Sequence, residues 1–175
     1  NIISNGINEL ERLIIEREET ESIYQNLFVK YPFLLGGLFT LVQSHQKLDD
    51  ENIPDFTAVR SKDDFFDIIE IKQPFLQLVS ESGSLLSEFH KTWNQAERYL
   101  DFARMESDYL RRQKNLMFEN PYCYLIAGYK PCGFLRKEIT RKQRLNPGII
   151  FLTYDEVLKT AKAYQHFINE ISAAS

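Results

Sequence analysis

The chain has 175 residues, of which 43% are hydrophobic, and its formal net charge at pH 7 is −4. This length and apolar content suffice for one compact domain with a sizeable core, and we expect a single domain over residues 1–175. The two cysteines, Cys123 and Cys132, are too few for a disulfide framework and lack the spacing of a zinc site. The negative charge excludes a protein that attracts nucleic acid through its net charge alone.

The first residue of the chain and its hydropathy bear on its processing and its cellular location. Position 1 is Asn rather than Met, so we expect a processed chain or a piece of a longer protein. Residues 1–19 are assigned either to a linker or to an N-terminal helix. No stretch approaches the roughly 18 consecutive apolar residues of a membrane span, and no charged-then-apolar leader is visible. We therefore expect a cytoplasmic protein without a membrane partner.

The first periodic segment is helical. Apolar residues recur at helical spacing between Ile7 and Phe28, which predicts one long helix or two shorter ones, with Thr20 as a candidate cap for the second. Glu21 falls inside the apolar arc of this pattern. Because burial of an unpaired carboxylate is costly, Glu21 needs a partner, and Arg17 four residues earlier is one candidate.

Three predicted strands follow the helical segment, at residues 38–43, 53–60 and 65–72. The segment Ser61–Asp64 between the second and third strands has turn composition. If it is a four-residue hairpin loop, Arg60 pairs with Phe65, and counting back along both strands places Asp55 directly opposite Glu70. A slip of one residue would separate the two carboxylates, so the register is a specific prediction.

The remainder of the chain alternates helices and strands. A long helix is predicted from Leu85 to Met117, followed by a buried strand over residues 122–129, a basic helix over 134–144 and a last strand over 149–153. Thr153 and Glu156 fit a capping box at the start of a terminal helix. The residues of that helix predicted to face inward are Val157, Leu158, Ala161, Tyr164, Ile168 and Ile171. This order of elements predicts an α/β sandwich with one mixed central sheet.

Three charged residues near the predicted hairpin carry the chemistry. Because strand side chains alternate between faces, Glu70 and Lys72 point the same way, whereas Asp67 has the opposite parity and is expected to be solvated. Asp55 and Glu70 offer the oxygen ligands that Mg²⁺ takes from one or two carboxylates. An ammonium beside them can stabilise the charge of a phosphate under attack. The trio therefore predicts a phosphodiester-hydrolysis site with Asp55 and Glu70 as metal ligands.

Each of these residues also has an ordinary interpretation. Glu70 and Lys72 could form a surface ion pair along a strand, and Asp55 could end its strand as a turn residue. Gln95 and Tyr99 form a row beside the core stripe of the long helix, and they could simply flank that core. Three histidines have no mutual spacing that indicates a metal site and are expected to be ordinary surface or edge residues: His45, His90 and His166.

A basic segment lies late in the chain. Between Lys130 and Arg144 there are six basic residues and a single acidic one, Glu138. Two interpretations stay open, a solvated helical face and a patch that faces phosphates. The residues predicted to contact nucleic acid are Tyr99 on the long helix and Arg136, Lys137, Arg141, Lys142 and Arg144 in the basic segment.

The motifs resemble those of a known superfamily. Pro54-Asp55, followed by Glu70-Ile71-Lys72, matches the PD-(D/E)XK signature of the restriction-endonuclease-like nucleases. Residues 95–99 (QAERY) resemble the Q-x-x-x-Y motif of the RecB-like and λ-exonuclease-like branches, in which the Gln lies near the metal and the Tyr near the nucleic-acid strand. A closer resemblance, to the nuclease domain of the Shedu family of bacterial anti-phage defence proteins, rests on the segments ESIYQNLFVKYPFLLGG, IPDFTAV, DIIEIKQPF, KTWNQAERYL and RLNPGIIFLTYDEVL.

This resemblance implies a restriction-endonuclease-like fold and metal-dependent nicking or cleavage of DNA by a homo-oligomer. It implies Asp55 and Glu70 as ligands of Mg²⁺ or Mn²⁺ and Lys72 as the catalytic lysine. It further implies Gln95 as an active-site helper and Glu21 as an accessory acid near the metal. Members often carry a variable N-terminal sensing region, so it also implies a regulatory domain outside this chain. Two other functions stay open, a non-catalytic nucleic-acid-binding or assembly module of the same fold, and a nuclease acting on RNA or single strands.

Overall fold

A five-stranded mixed sheet lies at the centre of the structure, a computed structural model that describes residues 2–174 and the side chains of residues 2–171. Its strands, β1 to β5, lie side by side in chain order. They are β1 (Phe39–Ser44), β2 (Phe56–Arg60), β3 (Phe66–Ile71), β4 (Cys123–Ile126) and β5 (Ile149–Leu152). The first three strands pair antiparallel, and β3, β4 and β5 pair parallel. The predicted α/β class with a mixed sheet in the restriction-endonuclease-like order is confirmed.

Helices cover both faces of this sheet. They are α1 (Ile2–Ile15), α2 (Glu21–Lys30), α3 (Ser87–Met105), α4 (Ser107–Tyr109), α5 (Gly133–Leu145) and α6 (Tyr154–Ala174). The core under α3 and α5 includes Ile68, whereas Ile69 and Ile71 belong to the core under α1, α2 and α6. The strand β3 is therefore buried on both faces, which explains its nearly continuous apolar sequence. No helix within residues 2–174 is both long enough and apolar enough to cross a membrane.

The β2–β3 hairpin has the register that its loop length predicts. Val59 pairs with Phe66 and Phe56 with Ile69, and the Arg60 N–H donates to the Phe65 carbonyl at 2.9 Å. The strand β2 begins later than the predicted residue 53. Pro54 explains the difference, because a proline has no N–H to donate to a strand ladder.

The helix predicted over residues 85–117 is interrupted. The helix α3 ends at Met105, and Glu106 leaves the helical conformation with φ −104° and ψ 23°. The chain continues as α4 and a π-helical turn, Leu110–Lys114, in which only Leu110 is buried. Little packing therefore holds this segment in a continuous helix, and the helix pattern predicted there was too long.

The terminal helix α6 extends beyond the sheet. Val157 and Ala161 are buried as predicted, but Tyr164 and Ile171 are 50% and 54% exposed, so their predicted inward orientation is wrong. The 21 residues of α6 span about 30 Å, against about 13 Å for the four residues of β5. The last turns of the helix therefore have no sheet to cover.

Half of the predicted capping box at the start of α6 is present. The Glu156 carboxylate accepts the Thr153 N–H at 2.9 Å, but the buried Thr153 hydroxyl has no hydrogen-bond partner among the described residues. At α2, Thr20 occupies the predicted cap position, but its side chain makes no capping hydrogen bond.

Candidate active site

The charged trio converges at the carboxyl end of β3. Asp55 directly precedes β2, Glu70 lies within β3, and Lys72 directly follows it. The Lys72 ammonium lies 2.8 Å from Glu70 Oε1, and the Asp55 backbone N–H donates to Glu70 Oε2 at 3.3 Å. Glu70 is 2% exposed and Asp55 8% exposed. The structure therefore forms one buried cluster from these residues, rather than a surface ion pair and a separate turn residue.

Two donors hold the Asp55 carboxylate in place. The backbone N–H of Ile71 donates to Oδ2 at 2.8 Å, and the side-chain amide of Gln25 donates to Oδ1 at 2.7 Å. Gln25 lies on α2 one turn after Glu21, so the two side chains project from the same face of the helix. Gln25 was not among the predicted site residues, although its spacing of four from Glu21 places it on the same helix face.

Glu21 pairs with the site lysine rather than with Arg17. Glu21 Oε1 lies 3.5 Å from Lys72 Nζ, whereas the Arg17 guanidinium stacks 4.5 Å from the centroid of the Phe75 ring. On the other side of the site, the buried Tyr154 hydroxyl donates to the backbone carbonyl of Lys72 at 2.8 Å. The lysine is thus held both through its side chain and through its backbone.

His45 is exposed directly after the edge strand β1, as expected of a surface or edge histidine, and its backbone lies beside the site. Its backbone N–H donates to the Asp55 carbonyl at 2.8 Å, just beyond the pairing of Ser44 with Phe56. The charge that His45 carries when protonated lowers the pKa of Asp55, although burial has the larger, opposite effect. Only the register between β1 and β2 places His45 here, and no local motif could have indicated it.

Burial and like charge shift the pKa values of the site residues. Burial raises the pKa of Glu70 to about 7, with a further increase from the Asp55 charge and opposition from Lys72. Burial also raises the pKa values of Asp55 and Glu21. Burial alone would lower the pKa of Lys72, but the neighbouring carboxylates, Glu70 first among them, outweigh it and raise that pKa. Three carboxylates therefore surround one ammonium.

The donor set fits a hard divalent cation. Such an ion takes one or two carboxylates from a protein and completes its shell with water and substrate oxygens, and Asp55 and Glu70 form such a pair. Within residues 2–174, no group of three or more His, Cys, Asp or Glu side chains is arranged to hold a metal ion. A divalent cation would also offset the excess negative charge of the three carboxylates over Lys72.

Gln95 and Tyr99 lie on α3, and Tyr99 contacts the segment that leads into Asp55. The Gln95 amide donates to the Tyr99 hydroxyl at 2.9 Å, and that hydroxyl donates to the Ile53 carbonyl at 3.1 Å. Tyr99 is buried, which raises its pKa, and the Glu70 charge raises it further. The hydroxyl is therefore within electrostatic range of the site. The roles of Gln95 near a metal and of Tyr99 on a nucleic-acid strand stay predictions.

The predicted basic patch follows α5, which runs away from the site. Because β4 and β5 are parallel, α5 begins near the edge of the sheet that carries Lys72 and ends near the opposite edge, about 20 Å away. Arg136 lies 3.6 Å from Asp155 and 3.4 Å from Glu156, and Arg141 pairs with Glu138. The other members are Lys142, whose ammonium covers the Trp93 ring, and the exposed Lys137 and Arg144. Contact of this patch with nucleic acid stays a prediction.

The position predicted for Asp67, the other acidic residue of β3, is wrong. It was expected to be solvated, but it is fully buried. It accepts the backbone N–H of Tyr122 at 2.8 Å and lies 3.8 Å from the Arg60 guanidinium. Its opposite parity to Glu70 does turn it away from the site, but Arg60 and the Tyr122 backbone bury it there.

The fold and the Asp55, Glu70 and Lys72 cluster have the arrangement expected from the resemblance to the restriction-endonuclease-like PD-(D/E)XK class. Residues 18–158 match the family described as Shedu protein SduA, C-terminal. The chain belongs to this family. The matched region contains every residue of the cluster, together with Glu21, Gln25 and Gln95.

Two further comparisons cover curated proteins and solved structures. No curated protein matches the chain. Among solved structures, the chain is similar to a repair endonuclease from Pyrococcus abyssi, with 22% sequence identity and a TM-score of 0.45. The similarity covers 78% of this chain and 47% of that one, so this chain spans about half the length of that structure.

Proposed function

We propose that the chain is a metal-dependent DNA endonuclease or nickase that hydrolyses phosphodiester bonds in bacterial anti-phage defence. One observation carries the proposal: two buried carboxylates, Asp55 and Glu70, lie in a single cluster with the Lys72 ammonium. An excess of buried acid over base is costly unless a cation joins it, which supports a metal at this point. Membership of the Shedu family supports a nuclease and a role in defence.

The residues of the site have distinct roles in this proposal. Asp55 and Glu70 would hold Mg²⁺ or Mn²⁺, which when bound supplies Lewis-acid stabilisation of the charge on the phosphate under attack. Lys72 is kept as an ammonium by Glu70 and Glu21, so it acts as a hydrogen-bond donor. As a donor, the Lys72 ammonium orients the attacking water and stabilises the charge that develops on the phosphate oxygens. Gln25 keeps the Asp55 carboxylate in a fixed orientation.

The proposal extends to the assembly of the protein. The family to which the chain belongs is described as the C-terminal part of a protein, which supports a further N-terminal region, and the resemblance implies a regulatory role for that region. The proposed active form is a homo-oligomer, in line with the family resemblance of the sequence segments. Gel filtration with light scattering tests the oligomer directly, and a monomer at assay concentrations would contradict it.

A plasmid-nicking assay tests the activity. Supercoiled DNA is incubated with the wild-type chain in Mg²⁺, in Mn²⁺ and in EDTA, and the loss of supercoiled form is quantified. We expect metal-dependent nicking and a loss of at least about a hundredfold in Lys72→Ala. Lys91→Ala is the matched control, because Lys91 is exposed and pairs with Glu88 on the helix surface. Circular dichroism verifies that each variant is folded.

The same assay separates the alternative functions. Full activity in Lys72→Ala, or no metal-dependent product from the wild type, would remove the proposed hydrolysis. Retained DNA binding without cleavage at any metal concentration would instead indicate a non-catalytic binding or assembly module. Parallel substrates of duplex DNA, single-stranded DNA and RNA decide the nucleic-acid class. We expect duplex DNA to be cut fastest.

A further inference from the structure

A cleft of about 330 Å³ lies beside the candidate active site, and neither the charged trio nor the α5 patch accounts for it. Its walls are the segment after β3, residues 74–79, and the segment after β4, residues 128–132, with Arg17 at its margin. Because β3 and β4 are parallel, both segments leave the sheet at the edge that carries Lys72. Its volume is in the range of ligand pockets that hold small molecules or parts of larger ligands.

Hydrogen bonds through Tyr154 connect the cleft to the active site. The Tyr154 hydroxyl donates to the Lys72 carbonyl at 2.8 Å, and its backbone N–H donates to the Gly128 carbonyl at 2.9 Å. Phe75 follows Lys72 by three residues, which is at most about 10 Å of chain. One strand of duplex DNA advances about 3.4 Å per phosphate. The cleft therefore lies within about three nucleotides of a phosphate bound at Lys72.

Two exposed cations at this cleft have aromatic partners instead of acidic ones. Arg17 stacks on the Phe75 ring, and the Lys130 ammonium lies 5.2 Å from the centroid of the Tyr129 ring. The two rings meet edge to face, with their centroids 6.1 Å apart. Among the residues that the structure describes, no carboxylate lies within ion-pair distance of either cation.

Stacking leaves both cations able to bind an anion. A cation held over a ring by cation–π attraction keeps its N–H donors for other partners, and those of a guanidinium match the oxygens of a phosphate. The backbone of Lys130 is fixed separately, because its N–H donates to Asp155 Oδ1 at 2.7 Å. On α5, by contrast, Arg136 and Arg141 are already paired with carboxylates, although, within the described part of the chain, Lys137, Lys142 and Arg144 are not.

We propose that this cleft binds a phosphate of the nucleic-acid strand that flanks the phosphodiester to be cleaved. The proposal rests on the proposed function and specifies where the strand leaves the active site. Arg17 and Lys130 contact the flanking phosphate, and Phe75 and Tyr129 hold the two cations in position. In a chain with a net charge of −4, affinity for a polyanion must come from local groups of unpaired cations such as this one.

The salt dependence of DNA binding tests the cleft. Anisotropy of a labelled DNA duplex is measured in EDTA, without turnover, between about 50 and 200 mM salt. In Arg17→Ala/Lys130→Ala we expect the slope of log K against log salt to fall by about two, since each phosphate contact contributes about 0.9. The change in affinity across this salt range then becomes about tenfold smaller than in the wild type.

Two matched variants control the measurement. Arg112→Ala/Lys159→Ala removes one arginine and one lysine from exposed positions outside the cleft, and it should keep the wild-type slope. Arg17→Lys/Lys130→Arg retains both charges and should keep most of the slope. The single variant Lys130→Ala should lose about half of the effect, which provides a second test if the double variant is poorly folded.

The outcomes separate this proposal from the proposed function. The proposed phosphate site is wrong if Arg17→Ala/Lys130→Ala keeps the wild-type salt slope. It is also wrong if the control double variant loses as much of that slope. If the wild-type protein cuts DNA while Arg17→Ala/Lys130→Ala keeps its salt slope, the phosphate site is wrong and the nuclease function stands. A wild-type protein that binds no DNA at any salt concentration overturns both proposals. A wild-type protein that binds without cutting, with the expected fall in slope, supports the cleft and contradicts the nuclease.

Discussion

The strand β3 carries two buried carboxylates on opposite faces, and their surroundings differ. Asp67 is fully buried beside Arg60, and Glu70 is 2% exposed beside Lys72. Burial is the largest cause of the raised pKa at both, to about 6 at Asp67 and to about 7 at Glu70. Burial and a nearby cation therefore do not distinguish a structural carboxylate from a functional one.

The balance of charge around each carboxylate does distinguish them. Near Asp67, Arg60 lies 2.9 Å from Asp63, which is also 3.9 Å from Lys62, so two acids face two bases. At Glu70, three carboxylates face the single ammonium of Lys72. An uncompensated buried charge is costly, so the second cluster favours either a protonated carboxylate, in line with the raised pKa of Glu70, or a bound cation. This excess of acid is the reason that we propose the metal site at the Glu70 end of the strand.

The largest expected effect comes from replacing one aspartate by asparagine in each of the two clusters. Asp55→Asn should lower the rate of metal-dependent nicking on the order of a thousandfold, about 4 kcal/mol of transition-state stabilisation. Asp67→Asn keeps an acceptor for the Tyr122 N–H and should leave that rate within about twofold. Rates at saturating Mg²⁺ measure both. Equal losses in the two variants would contradict the distinction.

The next effect is on the stability of the Asp67 cluster, in which acidic and basic groups are equal in number. Arg60→Ala leaves Asp67 buried without its cation and should lower the free energy of unfolding by about 4 kcal/mol. In Arg60→Ala/Asp67→Asn no buried charge is left unpaired, so the loss should be smaller. Urea denaturation of the three proteins gives the comparison. Identical stability of the single and double variants would show that the ion pair is not the cause.

A smaller effect is expected in the pH dependence of stability. The pKa of Asp67 is about 6 in the folded chain, above its usual value of 3.8, so folding increases its affinity for a proton. Its contribution to stability is complete below about pH 4 and is lost as the pH rises through about 6, a decrease of about 2 to 3 kcal/mol. Asp67→Asn should remove this component, and urea denaturation from acidic to neutral pH measures it. Parallel curves for both proteins would contradict the assignment.

The smallest effect concerns the support of the metal ligand. Gln25→Ala removes one donor from the Asp55 carboxylate and should raise the Mg²⁺ concentration for half-maximal nicking about tenfold. Asn26→Ala, at the next and exposed position of α2, is the matched control. Calorimetric titration with Mn²⁺ gives the same comparison without turnover. A wild-type metal affinity in Gln25→Ala would show that the hydrogen bond has no role in metal binding.

Local pattern alone determined the central part of the site. The four-residue loop after Arg60 and the alternation of side chains along β3 predicted that Asp55 meets Glu70 and that Lys72 shares its side, and the register confirms this arrangement. Both features act over a few residues, within one hairpin, so a sequence pattern can carry them. The signature of the superfamily could be recognised for the same reason.

Tertiary packing alone decided what surrounds that centre. The contact of Gln25 with Asp55, the burial of Asp67 and the cleft between Arg17 and Lys130 all join segments that are distant along the chain. The same holds for the ion pairs that neutralise part of the α5 patch. Helical periodicity specifies which face of a helix is apolar, but it does not specify which strand end lies beneath that face. Those contacts form only when the helices pack against the sheet.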